Sequence, residues 1–205
     1  MVRLLGHVFA GYDPPAVAVG LTPAEFEQFV QLWCRKAAQE RLTILARSEQ
    51  TGELVGALLT EDAASPMPDG LDGISPKFLP IFDILGGLDA AYRNQFSPRP
   101  GEALHLFLLG VDRRFGGQGI AQRLVQRCLA NGMERGFQSA VTEATNRRSQ
   151  HIFRKLGFTE RVRASYVEHV FEGAAHFSAI AGEGGPILMD LQLRPAGSGP
   201  EMRRA

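Results

Sequence analysis

Cysteine is scarce: Cys34 and Cys128 are the only two among 205 residues, both inside helical patterns and without metal-ligand spacing. Free thiols in a reducing compartment are therefore expected, and neither a zinc site nor a disulfide framework is. Long apolar runs are missing too. The opening MVRLLGHVFAG carries one Arg and too short an apolar stretch for a signal peptide or a membrane span, so a cytoplasmic protein without membrane contact is expected. Neither sign of charge is in excess, since 22 Lys and Arg face 22 Asp and Glu. No global field draws such a chain to nucleic acid, and any anion site has to be local. Internal repeats are absent. The length suits one domain over residues 1–193, and the Pro, Gly, Ser and charge of 194–205 predict a disordered tail.

What is present centres on Leu104–Arg127, LHLFLLGVDRRFGGQGIAQRLVQR. An apolar run from Leu104 to Val111, with His105 set into it, predicts a buried strand. Gly116-Gly117-Gln118-Gly119 follows, then an amphipathic helix from about Gly119 to Arg135 that presents Ala121, Leu124, Val125, Cys128 and Leu129 to the core and stops at Gly136. Strand, glycine turn and helix start together aim unpaired N–H groups and a positive helix end at one point, which suits a phosphate or pyrophosphate. The turn lacks the Lys-Ser/Thr ending of NTPase phosphate loops, which disfavours a nucleotide-binding reading.

Before this stretch, apolar residues over Val2–Phe9 predict a short helix ended by Gly11, and Tyr12-Asp13-Pro14-Pro15 a stiff turn. Thr22-Pro-Ala-Glu is a capping box for a core-facing helix that fades near Glu40. Leu42–Arg47 and Leu54–Thr60 read as an antiparallel pair, and Glu61–Ser75 as a long connection. A helix through Phe78–Tyr92 is expected to bend or split at Pro80 and Gly86-Gly87. After it, Ser139–Glu143 reads as a strand parallel to Leu104–Val111 by a crossover, and ATNRRSQHIFRKLGF as a short helix. Ser165–Phe171 and Pro186–Leu193 read as two closing strands.

Two of these segments resemble the GNAT superfamily of acyl-CoA-dependent N-acyltransferases. One is the strand ending in Val111 followed by Gly116-Gly117-Gln118-Gly119-Ile120-Ala121. The other is Asn146, Ser149, Phe153, Leu156, Gly157 and Phe158. The resemblance is specific over about Ala103–Phe158. It implies a mixed α/β (α+β) fold: a mostly antiparallel central sheet with one parallel, splayed strand pair and helices on both faces. It implies acetyl-CoA as co-substrate, with the pyrophosphate on the amides of the glycine turn and the pantetheine arm along Leu109, Gly110 and Val111. Gly110 is where a bulge in that strand is cheapest. An amide there could polarise the thioester carbonyl, worth roughly 3 kcal/mol. The cofactor set is then Leu109, Gly110, Val111, Gly116, Gly117, Gln118, Gly119, Ile120, Ala121, Asn146, Ser149 and Phe153. The family's usual Arg or Gln at the head of the loop is Gly116 here. Family members usually open with a strand, whereas this chain opens in a helical pattern. A homodimer is common in the family.

The activity implied is acetyl transfer to a small primary amine, such as an arylalkylamine, by direct attack in a ternary complex. The alternatives are a non-catalytic acyl-CoA sensor, or an enzyme acting on a peptide N-terminus or an antibiotic amine. Amine acetylation needs a base, and His105 has a suitable ordinary pKa. Period-two alternation places His105, Phe107 and Leu109 on one face. Vertebrate arylalkylamine N-acetyltransferases carry His at the positions of both His105 and Phe107. Insect dopamine N-acetyltransferases have an acid before Pro after the first helix, working with hydroxyls near the second motif, and Asp13-Pro14 resembles that element, with Thr145 and Ser149 as partners. Glu143 is a further carboxylate at the end of the second parallel strand. The usual thiolate-protonating Tyr is Phe153 here, leaving solvent, Ser149 or Tyr166.

Overall fold

Thr22 begins its helix as the sequence predicts: its hydroxyl accepts the Glu25 N–H at 3.3 Å, the Glu25 carboxylate accepts the Thr22 N–H at 2.8 Å, and Pro23 occupies the first turn. The helix, α3, spans Pro23–Glu40, after α1 (Val2–Tyr12) and α2 (Pro14–Ala18). The computed structural model describes residues 1–193, so the tail expected at 194–205 lies outside the described residues. The opening helix runs past Gly11. Asp13 is a one-residue extended hinge between two helices (φ −79°, ψ 120°), the backbone region that the following Pro14 imposes.

Strands β1 (Ile44–Arg47), β2 (Leu54–Asp62), β3 (Ala103–Val111), β4 (Ser139–Ala144), β5 (Thr159–Arg163) and β6 (Ile187–Gln192) form one sheet in the order β1-β2-β3-β4-β6-β5. Only β3 and β4 pair in parallel; every other neighbouring pair is antiparallel. Helices α5 (Ile120–Glu134) and α6 (Arg147–Lys155) cover one face through Leu124, Val125, Cys128 and Phe153 packed on Leu58, Leu104, Leu106 and Met189. The other face carries α1, α3 and α4 (Leu79–Arg93), where Leu5, Phe26, Phe29, Trp33 and Ile81 meet Leu59 and Leu108. This is the mixed α/β fold expected. Among the described residues, no helix is long and apolar enough to cross a membrane.

Three sequence expectations are corrected. β2 does not end at Thr60 but continues through Glu61 to Asp62, which puts a carboxylate inside the sheet. Helix α4 is neither bent apart nor split: Pro80 falls in the first turn, where its missing N–H leaves no bond unmade, and buried Ile84 and Leu88 hold the helix across Gly86-Gly87. Ser165–Phe171 is a turn rather than a strand, with Val167 and Val170 exposed. The strand is Thr159–Arg163, a largely exposed edge with no apolar run to announce it.

The register of β3 matters most for the site. Gly56–Leu59 pair with Val111–Leu108, then Thr60 pairs with Leu106, so Phe107 is skipped and forms a bulge. The extra residue shifts the alternation. Leu104, Leu106 and Leu109 face α5, whereas Phe107 and Leu108 both face α3. Leu109 therefore does not share a face with His105 and Phe107, and the bulge is at Phe107 rather than Gly110. Gly110 answers to packing: a Cβ there would stand 2.8 Å from Leu5 Cδ2, so the missing side chain lets α1 lie directly on β3. On its other edge β3 pairs with β4 only over Ala103–His105 and Ser139–Val141. Both strands then run on, apart from one another, with the Thr142 hydroxyl donating to the Leu106 carbonyl at 2.9 Å.

Candidate active site

Beyond Val111 the chain makes a single 3-10 turn, Arg113–Phe115, in which the Asp112 carboxylate accepts the Arg114 N–H at 2.9 Å and the Gly116 N–H donates to Arg113 O at 3.0 Å. Gly116 is thus spent on its own turn. Gly117 and Gly119 take φ +76° and +73°, which a side chain would strain. Gly119 is the N-cap of α5 and supplies no side-chain cap. The first α5 amide to bond back is Arg123 N–H, to Gly119 O at 3.1 Å. The amides of Ile120, Ala121 and Gln122 precede that ladder and point out of the helix start. Arg123 holds the turn, its guanidinium donating to Gln118 O at 2.8 Å.

The other strand of the parallel pair, β4, ends at Ala144 and is followed by Thr145. Its hydroxyl donates to Asp13 Oδ1 at 2.5 Å, tying the hinge after α1 to the carboxyl end of β4. Burial pushes the Asp13 carboxyl up to about 6, against the hydrogen bonds from Thr145, the Ala16 N–H and Asn146 and with help from the negative charge of Glu183. Ser149 is not Asp13's partner: its hydroxyl donates to Asn146 O at 2.9 Å and accepts the Asn146 N–H at 3.4 Å, while the Asn146 carboxamide accepts the Ser149 N–H at 2.9 Å. Together they cap α6. The Tyr166 hydroxyl donates to Thr145 O at 2.7 Å from a fully buried ring, and burial raises its pKa above the phenol range. Phe153 is a core residue, 2% exposed and edge-on to Phe158, so its ring is a packing element rather than a wall open to a cofactor.

The third group of residues surrounds His105, where the β3–β4 pairing stops. Nδ1 faces Glu61 Oε1 at 3.0 Å and Nε2 faces Glu143 Oε2 at 2.8 Å. Glu61 also accepts the Trp33 indole N–H at 3.0 Å and the Lys36 ammonium at 2.6 Å. Burial alone would depress the imidazole, but the two carboxylates outweigh it and hold His105 up to about 10. Both glutamates sit below the usual carboxylate range, because the imidazolium, and for Glu61 also Lys36, outweighs the opposing effect of burial. A base needs a free lone pair, and here both ring nitrogens meet carboxylates. Two facing carboxylates favour the doubly protonated imidazole, which can donate to both.

Glu61, Lys36 and Trp33 are the members that sequence reasoning missed. Glu61 had a signal: Ala57, Leu59 and Glu61 share one face of β2, and a carboxylate on that inward face needs a partner.

Known proteins bear on this arrangement. The Acetyltransferase (GNAT) family model matches residues 12–158. The chain belongs to that family. Several solved structures share the GNAT fold seen here. The C-terminal condensation domain of Ebony in complex with beta-alanyl-dopamine is 16% identical over 93% of this chain and 92% of that one, with a TM-score of 0.85. Arylalkylamine N-acetyltransferase 2 from Aedes aegypti is 22% identical over 94% and 93%, with a TM-score of 0.76. The Drosophila melanogaster polyamine N-acetyltransferase, which catalyses the formation of N-acetylagmatine, is 19% identical over 94% and 95%, with a TM-score of 0.73. At these identities the likeness carries the fold and leaves the acceptor open.

GNAT enzymes typically use an acyl-CoA, and the residues present fit one. The two positive-φ glycines allow close backbone approach, the α5 amides are free of a side-chain cap, and the gap between β3 and β4 exposes one edge of β3. Because β3 and β4 run parallel, the glycine turn and the Asp13–Thr145 pair follow neighbouring carboxyl ends, where sites in such sheets collect.

Proposed function

We propose that this GNAT protein transfers an acetyl group from acetyl-CoA to a small primary amine with a compact apolar body, by direct attack in a ternary complex. The observation that carries the proposal is Asp13: a carboxyl held near neutrality, hydrogen-bonded to Thr145 at the carboxyl end of the splayed strand pair. Bound acetyl-CoA supplies the activated acetyl thioester. The amides from Gly117 to Gln122 would hold its pyrophosphate, and the β3 backbone at Leu109, Gly110 and Val111 would hold its arm. Asp13 takes a proton from the acceptor's ammonium, with Thr145 fixing the carboxylate's direction. Its raised pKa brings it closer to that task than an ordinary aspartate would be.

Two carboxylates with opposed shifts suit two roles. Asp13 takes the proton from the amine, and the new C–N bond replaces the thioester C–S bond. The departing CoA thiolate is protonated from solvent, since the Ser149 and Tyr166 hydroxyls donate to Asn146 O and Thr145 O. Glu143, kept ionised by His105, holds positive charge. The base in this proposal is Asp13 rather than His105, whose nitrogens are both occupied. Tyr12 and Pro14, which flank Asp13 in the chain, line a shallow groove of about 420 Å³ together with Val17, Ala179, Ile180 and Glu183. Its apolar lining with one carboxylate matches an alkyl or arylalkyl amine, and similar structures named for arylalkylamine and polyamine acetylation are in keeping with an amine acceptor.

The test is thiol release from acetyl-CoA with phenethylamine-type amines, diamines and a peptide N-terminus. Asp13→Asn is expected to lower kcat/KM by about 10²–10⁴-fold while CoA affinity stays constant. In the unaltered protein kcat/KM should rise with pH through about 6, as Asp13 ionises. A rate that Asp13→Asn leaves intact would remove Asp13 as the base.

A further inference from the structure

The geometry points to Glu61 as a positioning residue: with Trp33 and Lys36 behind it, it holds His105 so that both ring nitrogens donate and Nε2 is aimed at Glu143, which is thereby kept as a carboxylate of fixed direction two residues before Thr145. The inference rests on the proposed role of Glu143 and adds the device that maintains it.

The argument starts from burial. Glu61 is 6% exposed, and its side chain reaches inward from the last pair but one of the β2–β3 ladder, opposite His105. A carboxylate in such a place is unfavourable unless its lone pairs are filled. They are: Oε2 accepts from Trp33 Nε1 at 3.0 Å and Lys36 Nζ at 2.6 Å, and Oε1 faces His105 Nδ1 at 3.0 Å. Trp33 and Lys36 lie one turn apart on α3, so a single helix face aims the carboxylate. Lys36 is itself fixed by Pro66 O at 3.0 Å.

Given that anchor, His105 has one satisfactory state. A neutral imidazole carries a single N–H and would turn its other lone pair on a carboxylate, whereas an imidazolium donates to both. The charged groups facing it are Glu61 from β2 and Glu143 from β4, with Lys36 of α3 beyond Glu61. The unit alternates in sign from Lys36 to Glu143 and sums to zero, which makes its burial tolerable. Phe107, brought onto this face by the bulge, lies 5.2 Å from the imidazole ring, centroid to centroid, and Trp33 lies 4.9 Å from Phe107. The rings cover the unit and limit its rotamers. Glu143 is the end of the chain of contacts, one residue before the end of β4 and two before Thr145.

An experiment that needs no turnover tests this. The imidazole resonances of His105, assigned among the five histidines by their loss in His105→Gln, are followed by NMR from pH 5 to 9. In the unaltered protein they should stay in the doubly protonated position throughout. Glu61→Gln should bring the titration into that window by lowering its midpoint about 1–3 pH units, and should add an inflection to the pH dependence of kcat/KM. Glu61→Asp, which keeps the charge but withdraws it from Nδ1, should lower the midpoint by a smaller amount and serves if Glu61→Gln does not fold. The proposal is overturned if His105 is neutral at pH 7 in the unaltered protein, or if whichever of these variants folds titrates as the unaltered protein does. A uniform loss of rate with the pH profile unchanged would mark Glu61 as merely structural. If no amine is acetylated, the acetyltransferase reading fails, and the titration still decides the role of Glu61.

Discussion

Helices α5 and α6 both begin just past the carboxyl end of a strand in the parallel pair, and they treat their unpaired amides in opposite ways. At α5 the N-cap is Gly119, which offers no side chain. At α6 the N-cap is Asn146, and with Ser149 it closes a full capping box. An uncapped start leaves donors for a ligand, at a sacrifice of about 1 kcal/mol in helix stability. A capped start has little left to offer an anion, and its value is rigidity. Here that rigidity steadies Thr145, the residue before the cap, and through it Asp13. In the proposed function the anion site and the proton-accepting site are thus divided between two neighbouring helix starts.

The comparison breaks most visibly if α5 is given a cap of its own. Gly119→Asp would place a carboxylate against the amides proposed to hold the pyrophosphate, beside Arg123, whose Nη1 lies 3.3 Å from where the new Cβ would stand. Asp tolerates positive φ better than most residues, so folding should survive. CoA affinity is expected to fall roughly a hundredfold, about 3 kcal/mol, as measured by calorimetry.

The next effect is on stability at the α6 start. Folding raises the Asp13 carboxyl from its ordinary 3.8 to about 6, so the folded protein favours the protonated acid. That contribution is complete below pH 3.8 and is lost as pH rises through 6. Asn imitates the protonated form at every pH. Asp13→Asn should therefore stabilise the protein at pH 8 by about 2–3 kcal/mol and give no advantage near pH 4, read as the difference in denaturation free energy. The variant with the largest loss of activity would then be the more stable protein.

How much of this was legible depended on whether the cause was local. The Thr22 cap, the strand–glycine turn–helix unit and the parallel crossover follow from short-range rules, and the structure has them where the sequence placed them. The Phe107 bulge was not legible. Nothing in LHLFLLGV marks one residue as unpaired, because the skip is decided by register against β2. Glu61 was lost for a related reason: a charged residue after Thr60 resembles the end of a strand until Trp33 and Lys36, from a helix far off in sequence, are seen to complete it. The edge strand Thr159–Arg163 buries almost nothing, so it left no hydrophobic trace. In the site, the sequence brought out Asp13, Thr145, His105 and Glu143. Their charge states came only from their neighbours in space.

The smallest effect discriminates most finely between the two helix starts. Asn146→Ala removes the α6 cap and is expected to lower stability by about 1 kcal/mol. If the division of labour holds, CoA affinity should stay within about threefold, far from the loss in Gly119→Asp. Asn146 also donates to Thr145 Oγ1 at 3.4 Å and helps to keep the Asp13 pKa down. Its removal should therefore shift the rising limb of kcat/KM to higher pH. A loss of CoA affinity comparable to that of Gly119→Asp, with the limb unmoved, would make Asn146 a cofactor ligand and the two helix starts equivalent. A moved limb with affinity intact requires that the α6 cap acts on the proton-accepting side alone.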